Sequence, residues 1–387
     1  MIDLHSQQRE DQTSELNARL ISICIPTCNR AVLLERAIDS CHAQTYREFE
    51  IVIGDDSRDD SAQQVVERCR LRSDRPIRYR RNVPRLGQAG NVNRLFARAQ
   101  GARLVLLHDD DLLEADALSR LDTCWQQYPE LTAAFGKQRV IADDGTPRPQ
   151  ATERLNRDYR RVPERAGRLV VPALAGIDQM FPNNGYLVDT LAARRIAYRT
   201  AAEVGEACDF DFGLRLSIDA AAICFVDEFV SISRETALSI STHALPAMHA
   251  FAQLRESAVP AAAQAAREEA LRRVAPRAAS AYARAGEPAA AWRVLLSEHY
   301  PMRERLRARF FYHVLLAARS TLAFRAPHGG KVVRVCDSQV VDHGAGHALA
   351  TASANAAEPE TMWRDAQMRG ATFVVILERE NPVRSVP

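Results

Sequence analysis

The stretch Leu104-Val105-Leu106-Leu107-His108-Asp109-Asp110-Asp111 decides how this chain reads. Four apolar residues make a short buried strand, and three carboxylates follow it at once. No packing requirement puts three like charges at a strand end, and adjacent carboxylates repel unless a cation lies among them. Hard divalent ions take oxygen ligands and are commonly shared with substrate phosphates. Two readings follow: a metal–diphosphate site at the C-terminal edge of an α/β sheet, or an acidic helix start, where Asp caps and first-turn Asp are favourable.

The same pattern recurs upstream. Leu20-Ile21-Ser22-Ile23-Cys24-Ile25 reads as a first buried strand, broken by Pro26-Thr27-Cys28-Asn29, with Asn29 placed to cap a helix. Leu33, Ala37, Ile38 and Cys41 then recur at helical spacing. Phe49 to Ile53 is a second strand ending at Gly54-Asp55-Asp56-Ser57, followed by a helix with Val65, Val66 and Cys69 inward. Ile77-Arg78-Tyr79 is a weaker strand, and Asn93 to Ala99 lies in a helix closed by Gly101. This alternation predicts an α/β fold with a mostly parallel sheet and helices on both faces. Ligands of such sheets bind beyond the carboxyl ends of the strands. Polar or acidic groups stand at three of those ends, Thr27 to Arg30, Asp55-Asp56 and Asp109 to Asp111, so chain-distant carboxylates meet in one crevice.

Composition narrows the function class. The chain has 387 residues, enough for one large domain with appendages or for two domains. A hydrophobic share of 47% and a charged share of 26% are those of an ordinary soluble globular protein. A net charge of +2 argues against bulk nucleic-acid binding. The eight cysteines show no C-x-x-C spacing, so neither a zinc site nor a disulfide framework is expected. The polar first twenty residues do not resemble a signal peptide, and no apolar run is long enough to span a bilayer, so a cytoplasmic setting is expected.

Downstream, Ala115 to Gln127 reads as a helix, and Thr132 to Phe135 and Arg139 to Ile141 as strands. Residues 143–168, rich in Arg, Pro, Glu and Asp, read as an exposed loop that orders on substrate binding. Asp209 to Leu216 opens an amphipathic helix, and Ile223 to Val226 and Phe229 to Ser233 read as strands. The expected organisation is a flexible arm over 1–18, a catalytic domain over 19–240, a helical extension over 241–325, and a poorly ordered or loosely docked tail over 326–387 with one strand at Thr372 to Leu377.

Over roughly residues 20–235 the chain resembles family 2 glycosyltransferases, which have the GT-A fold. The resemblance rests on Ile25 to Arg30, Gly54-Asp55-Asp56-Ser57 with Asp59-Asp60, Asn82 through Gly87 to Asn93, Ala99-Gln100-Gly101, and His108 to Asp111, in that order and spacing. It implies an inverting nucleotide-sugar transferase, UDP favoured, using Mn²⁺ or Mg²⁺. It implies further that Pro26 and Thr27 line the base and ribose pocket, and that Asp56, with Asp55 beside it, accepts hydrogen bonds from uracil or ribose. Asn93 joins that nucleotide-sugar set. The family's Asp-x-Asp falls on His108-Asp109-Asp110, with His in place of the commoner first Asp. Asp110 then matches the metal-binding carboxylate, Asp109 supports ribose or metal, and Asp111 is a further candidate ligand. The family's later Glu-Asp motif falls on Cys208-Asp209, which makes Asp209 the implied catalytic base.

That chemistry is coherent. A sugar–diphosphate bond breaks as negative charge grows on the leaving phosphate, which a divalent ion stabilises, while a carboxylate takes the proton of the acceptor hydroxyl. Each residue also has a plainer reading. Asp209, like Asp110, can be a helix cap, with Asp211 as its nearby competitor for the base. Asp56 can be a turn acid, and Thr27 can simply end a strand. Arg30 and Arg81 are phosphate contacts or solvated surface groups. His243, and less so His249, is either an extra metal ligand or an ordinary loop histidine. Asn183 and Asn184 either hold sugar hydroxyls or make a turn. Arg303 to Arg319 interleaves arginines with Phe310-Phe311-Tyr312 and Leu315-Leu316. Such a helix either packs its aromatic side on the catalytic domain or makes a peripheral contact with an anionic membrane, where lipid-linked acceptors lie. The expected partners are a nucleotide-sugar donor and a saccharide or lipid-linked acceptor, with no nucleic acid. Two other classes compete. A nucleotidyltransferase fits poorly, because Cys24 to Arg30 contains no glycine for a phosphate loop. A catalytically degenerate sugar-binding protein is allowed by His108 and Cys208.

Overall fold

The computed structural model describes residues 19–235 and 246–325, together with short strands at 332–336, 339–341 and 374–376. The expected arm over 1–18 and His243 lie outside the described residues.

The first half alternates as the sequence predicts: β1 (Ile21–Thr27), α1 (Ala31–His42), β2 (Phe49–Asp55), α2 (Ser61–Arg70), β3 (Ile77–Arg81), α3 (Gly87–Arg98) and β4 (Arg103–Leu106). These four strands pair in parallel in the order β3-β2-β1-β4. Every residue of β2 and of β4 is buried, because both faces of the sheet are covered. Side-chain alternation divides them. Ile21, Ile23, Ile25, Ile51 and Ile53 pack on α1 and α2, while Cys24, Val52, Leu104 and Leu106 pack on α3.

The sheet continues through β5 (Leu112–Leu113), β6 (Ala133–Ala142), β7 (Gly167–Arg168), β8 (Leu187–Asp189) and β9 (Ile223–Glu235). β8 is antiparallel between β4 and β6, and β6 and β9 run parallel, with β5 antiparallel beyond β9. The fold is therefore α/β with a mixed, mostly parallel sheet. The strand pairs expected over 132–141 and 223–233 are each one long strand. Register irregularities around Lys137 interrupt the alternation of β6. Asp227 and Glu228, which look like a break in β9, pair outward with Lys137 and Arg120.

The helix expected over 115–127 is α4 (Ala117–Gln127), and the loop expected over 143–168 contains α5 (Pro149–Asp158) and β7. Its helix carries little apolar periodicity because its anchors are polar. Asn156 donates to Gln138 O at 2.8 Å and accepts from Gln138 N at 3.1 Å, and Thr152 accepts from Val140 N at 2.9 Å. Between β7 and β9 come α6 (Leu174–Ile177), α7 (Thr190–Ile196), α8 (Ala201–Val204) and α9 (Cys208–Asp219).

Helices α10 (Pro246–Glu256), α11 (Gln264–Arg284), α12 (Pro288–Leu296), α13 (Met302–Arg305) and α14 (Ala308–Arg325) follow. A third core joins Leu254, Leu271, Ala275, Leu295 and Tyr300 to Ile177 of α6 and Leu214 of α9. Among the described residues no helix is long and apolar enough to cross a membrane. Separately, Val332–Cys336, Gln339–Val341 and Val374–Ile376 form a small three-stranded sheet, the last inside the strand expected at 372–377.

Candidate active site

Three neighbouring parallel strands end on the same edge, and their ends build the floor of a cleft of about 1230 Å³. Thr27 closes β1, Asp56 follows β2, and Asp109 to Asp111 follow β4. Thr27 Oγ1 donates to Asp109 Oδ2 at 2.8 Å across 82 residues of sequence, and Asp56 N donates to Thr27 O at 2.9 Å. Pro26, Thr27, Asp56, Asp109, Asp110, Asp111 and Asp209 all line this one cleft.

Asp56 is buried and its carboxylate accepts from Asn82 Nδ2 at 2.9 Å and from Leu86 N at 3.1 Å. Asn82 also donates to Asn91 Oδ1 at 3.0 Å, and Asn91 Nδ2 donates to Gly54 O at 2.8 Å. This relay needs glycine at position 54, since a Cβ there would lie 2.2 Å from Asn91 Oδ1. Two candidates stand apart from the cleft lining. Asp55 is fully buried and receives Tyr79 OH and Ser57 N, each at 2.7 Å, so it fixes the loop that carries Asp56. Asn93 holds the backbone of Tyr198 with both ends of its amide, at 2.9 and 2.7 Å, and does not line the cleft. Asn91, two residues earlier on α3, lines the cleft instead.

The acidic run is not one unit. Asp109 is held by Thr27, and burial pushes its carboxyl above the usual range. Asp110 and Asp109 share the Arg30 guanidinium, at 2.8 and 3.3 Å. Asp111 is buried, accepts from Arg234 N at 2.8 Å and receives the Asn184 amide. Burial, and then the charge of Asp110, pushes Asp111 up to about 7. His108 lies between two acids, with Nδ1 4.0 Å from Asp111 and Nε2 3.9 Å from Asp209. Burial alone would lower its pKa, but Asp209, Asp111, Asp110 and Asp109 together outweigh burial and raise it.

Asp209 opens α9, where the helix N-terminus favours negative charge. It accepts from Tyr198 OH at 3.1 Å, and its position at the cleft floor raises its carboxyl pKa. Its competitor Asp211 is buried against Arg215, 2.6 Å away, and does not line the cleft. Arg81 pairs with Asp60 on the surface, and His249 lies beside Gly205 outside the cleft.

Whether a divalent ion fits can be judged from the donor set. His108, Asp110 and Asp111 can each present one ligand atom, all within 4.8 Å of one another. The buried Asn184 Oδ1, on the residue that holds Asp111, has no hydrogen-bond partner. One imidazole with two carboxylates suits Mn²⁺ better than Mg²⁺, which prefers oxygen ligands throughout.

Several lining residues gave no signal in sequence. Arg161, Gln138 and Arg234 sit on segments whose neighbours alone suggest exposed loop or strand, and Asn91 is one amide among several near α3.

Comparison with known proteins agrees with this geometry. The glycosyl transferase family 2 profile matches residues 22–195. An uncharacterized protein of Mycobacterium tuberculosis is 31% identical over 232 residues, 58% of this chain and 70% of that protein. A GalNAc(5)-diNAcBac-PP-undecaprenol beta-1,3-glucosyltransferase of Campylobacter jejuni is 37% identical over 26% of this chain and 33% of its own length. An abequosyltransferase of Salmonella typhimurium is 35% identical over 27% of this chain and 32% of its own. The chain thus spans only about a third of each of these two enzymes. In fold it is similar to S. aureus TarS 1–349 in complex with UDP-GlcNAc, with a TM-score of 0.56 at 14% identity over 84% of this chain and 96% of that one. The α/β fold is GT-A, and the chain belongs to glycosyl transferase family 2: it is a glycosyltransferase.

Proposed function

We propose that the protein transfers a sugar from a UDP-sugar to a hydroxyl of a saccharide or lipid-linked acceptor, with inversion at the anomeric carbon. The observation that carries this reading is the convergence of Thr27, Asp56, Asp109, Asp110 and Asp209 on one cleft from four separate segments. Asp56, braced by Asn82 and Leu86 N, would accept from the uracil or ribose, with Pro26 and Thr27 on the same cleft. Asp110, with His108 and Asp111, would hold Mn²⁺, or less readily Mg²⁺. When bound, that ion stabilises charge on the departing diphosphate. Asp209 takes the proton of the acceptor hydroxyl. Burial raises its pKa, which makes it a stronger base than a solvated carboxylate. Tyr198 OH donates to Oδ1 and so orients the carboxylate.

The surface of α13 and α14 supports a peripheral membrane contact. Met302, Leu306, Phe311 and Leu315 are exposed beside Arg303, Arg307, Arg309 and Arg319, a combination that suits anionic lipid.

A thermal-shift panel of UDP, dTDP and GDP and their sugars, with and without Mn²⁺, tests the donor assignment. Selective stabilisation by UDP and UDP-sugars is expected. Equal shifts for all three nucleotides, or none, would remove the donor assignment.

A further inference from the structure

The cleft continues past the acids to a second wall, and that wall is basic. It is made by Arg161, by Arg277 and Arg284 of α11, and by Arg309 of α14. On α11 the lining positions Arg277, Ser280 and Arg284 fall on one stripe, and on α14 Arg309 and Tyr312 do the same.

Arg161 is the unusual member. It is 3% exposed, yet among the described residues it meets no carboxylate. Its Nε donates to Met180 O and its Nη1 to Gln138 Oε1, both at 2.7 Å, and it stands 5.6 Å from the Tyr159 ring. Its neighbours Arg160 and Arg165 both reach Asp178, as does Arg273. Arg161 instead lines the cleft. Burial draws its pKa down to about 10, so it remains charged at neutral pH. A buried guanidinium with only neutral acceptors costs stability, and a bound anion would offset that cost. Among the described residues Arg277 and Arg309 likewise have no ion-pair or hydrogen-bond partner, and Arg284 donates to Tyr312 OH. The two glutamates on the cleft, Glu206 and Glu235, are exposed and pair with none of these arginines.

We propose that this wall is an acceptor subsite for a phosphate group, so that the hydroxyl presented to Asp209 belongs to a phosphorylated acceptor. The proposal rests on the glycosyltransferase reading above, because it takes the acid end of the same cleft as the donor end. Guanidinium groups grip phosphate through paired N–H donors. The phosphate belongs either to a soluble phosphorylated saccharide or to the head of a lipid-linked one.

The test uses the full chain saturated with UDP and Mn²⁺, titrated calorimetrically with glycerol 3-phosphate and, in parallel, with phosphatidylglycerol or phosphatidylcholine vesicles. Arg161→Met is compared with the double substitution Arg277→Gln/Arg309→Gln, whose exposed positions keep the test valid if Arg161→Met does not fold. Wild type is expected to bind glycerol 3-phosphate, and each variant about tenfold more weakly, the scale of a lost charge-assisted hydrogen bond. Binding to phosphatidylglycerol alone, weakened by the same substitutions, supports the subsite with lipid as the source of its phosphate. Absence of binding to either, or binding that the substitutions leave unchanged, overturns it. UDP affinity is measured on each protein, so failure of the donor reading shows separately.

Discussion

Arg30 Nη1 lies 2.8 Å from Asp110 Oδ2 and reaches Asp109 Oδ1 with the same nitrogen. One cationic side chain thus bridges two carboxylates of the acidic run, where a metal ion would also be drawn. Its side chain is 42% exposed and sits on the short link between β1 and α1, so it is free to swing away. Arg30 and a divalent cation therefore compete. Removing Arg30 by Arg30→Ala is expected to tighten Mn²⁺ binding, in the absence of nucleotide, by about fivefold, the ~1 kcal/mol of a half-exposed ion pair. Calorimetric titration with Mn²⁺ checks this, and unchanged or weaker binding would count against the competition.

Asp209→Asn should cut sugar transfer by about 10²- to 10⁴-fold, the usual span of general-base catalysis, while UDP binding persists. Radiolabelled donor turnover and UDP titration on the same sample separate the two effects. Transfer retained within a few-fold would take the base role away from Asp209.

The pH behaviour follows from the same carboxyl. The folded-state pKa of Asp209 is raised, chiefly by burial. The folded protein therefore binds this proton more tightly than the unfolded chain, and stability declines as pH rises from the unfolded value through the folded one. Wherever the group is ionised in the folded protein it is a net cost. Asp209→Asn should accordingly raise the midpoint of thermal unfolding at pH 7.5 and lose that advantage at pH 4. In the active enzyme the acid limb of kcat/KM should lie above the ordinary aspartate range. A limb near 3.8 would contradict the raised pKa.

Gly54→Ala probes the Asp56 relay. The new Cβ would strike Asn91 and displace the amide that braces Asn82. Overpacking of this kind costs ~1–3 kcal/mol, and UDP affinity should fall about tenfold. Urea unfolding and UDP titration read the two consequences. Normal UDP affinity in the variant would show that the relay does not prepare Asp56.

Asn156→Ala should destabilise the protein by ~2 kcal/mol in urea unfolding, because it leaves Gln138 N and O of a buried strand without partners. A change within 0.5 kcal/mol would mean that α5 is held by other contacts.

These residues also show where the sequence is readable. Three of the four parallel strands, β1, β2 and β4, were legible because apolar runs ending at Thr27, Asp55 and His108 carry their own stop signals, whereas β3, Ile77-Arg78-Tyr79-Arg80-Arg81, offers a weaker pattern. Helix α5 was not, because it is fastened by Asn156 and Thr152, polar residues that also mark exposed loops. Asn91 and Asn93 illustrate a finer limit. Two positions on one helix point to opposite sides, and only Gly54 beneath Asn91 and Tyr198 beside Asn93 decide which faces the cleft. The acidic run was readable as a cluster, but the division of labour within it was not. Arg30, Asn184 and Arg234 set that division, and they come from 80, 73 and 123 residues away.

The central claim is that Asp110 belongs to a cation–diphosphate site, and calorimetric titration of UDP with and without Mn²⁺ tests it most directly. Wild type should bind UDP about tenfold or more tightly with the metal present, and Asp110→Ala should bind it weakly and equally in both conditions. Equal affinity with and without Mn²⁺ in the wild type, matched by Asp110→Ala, would contradict the account.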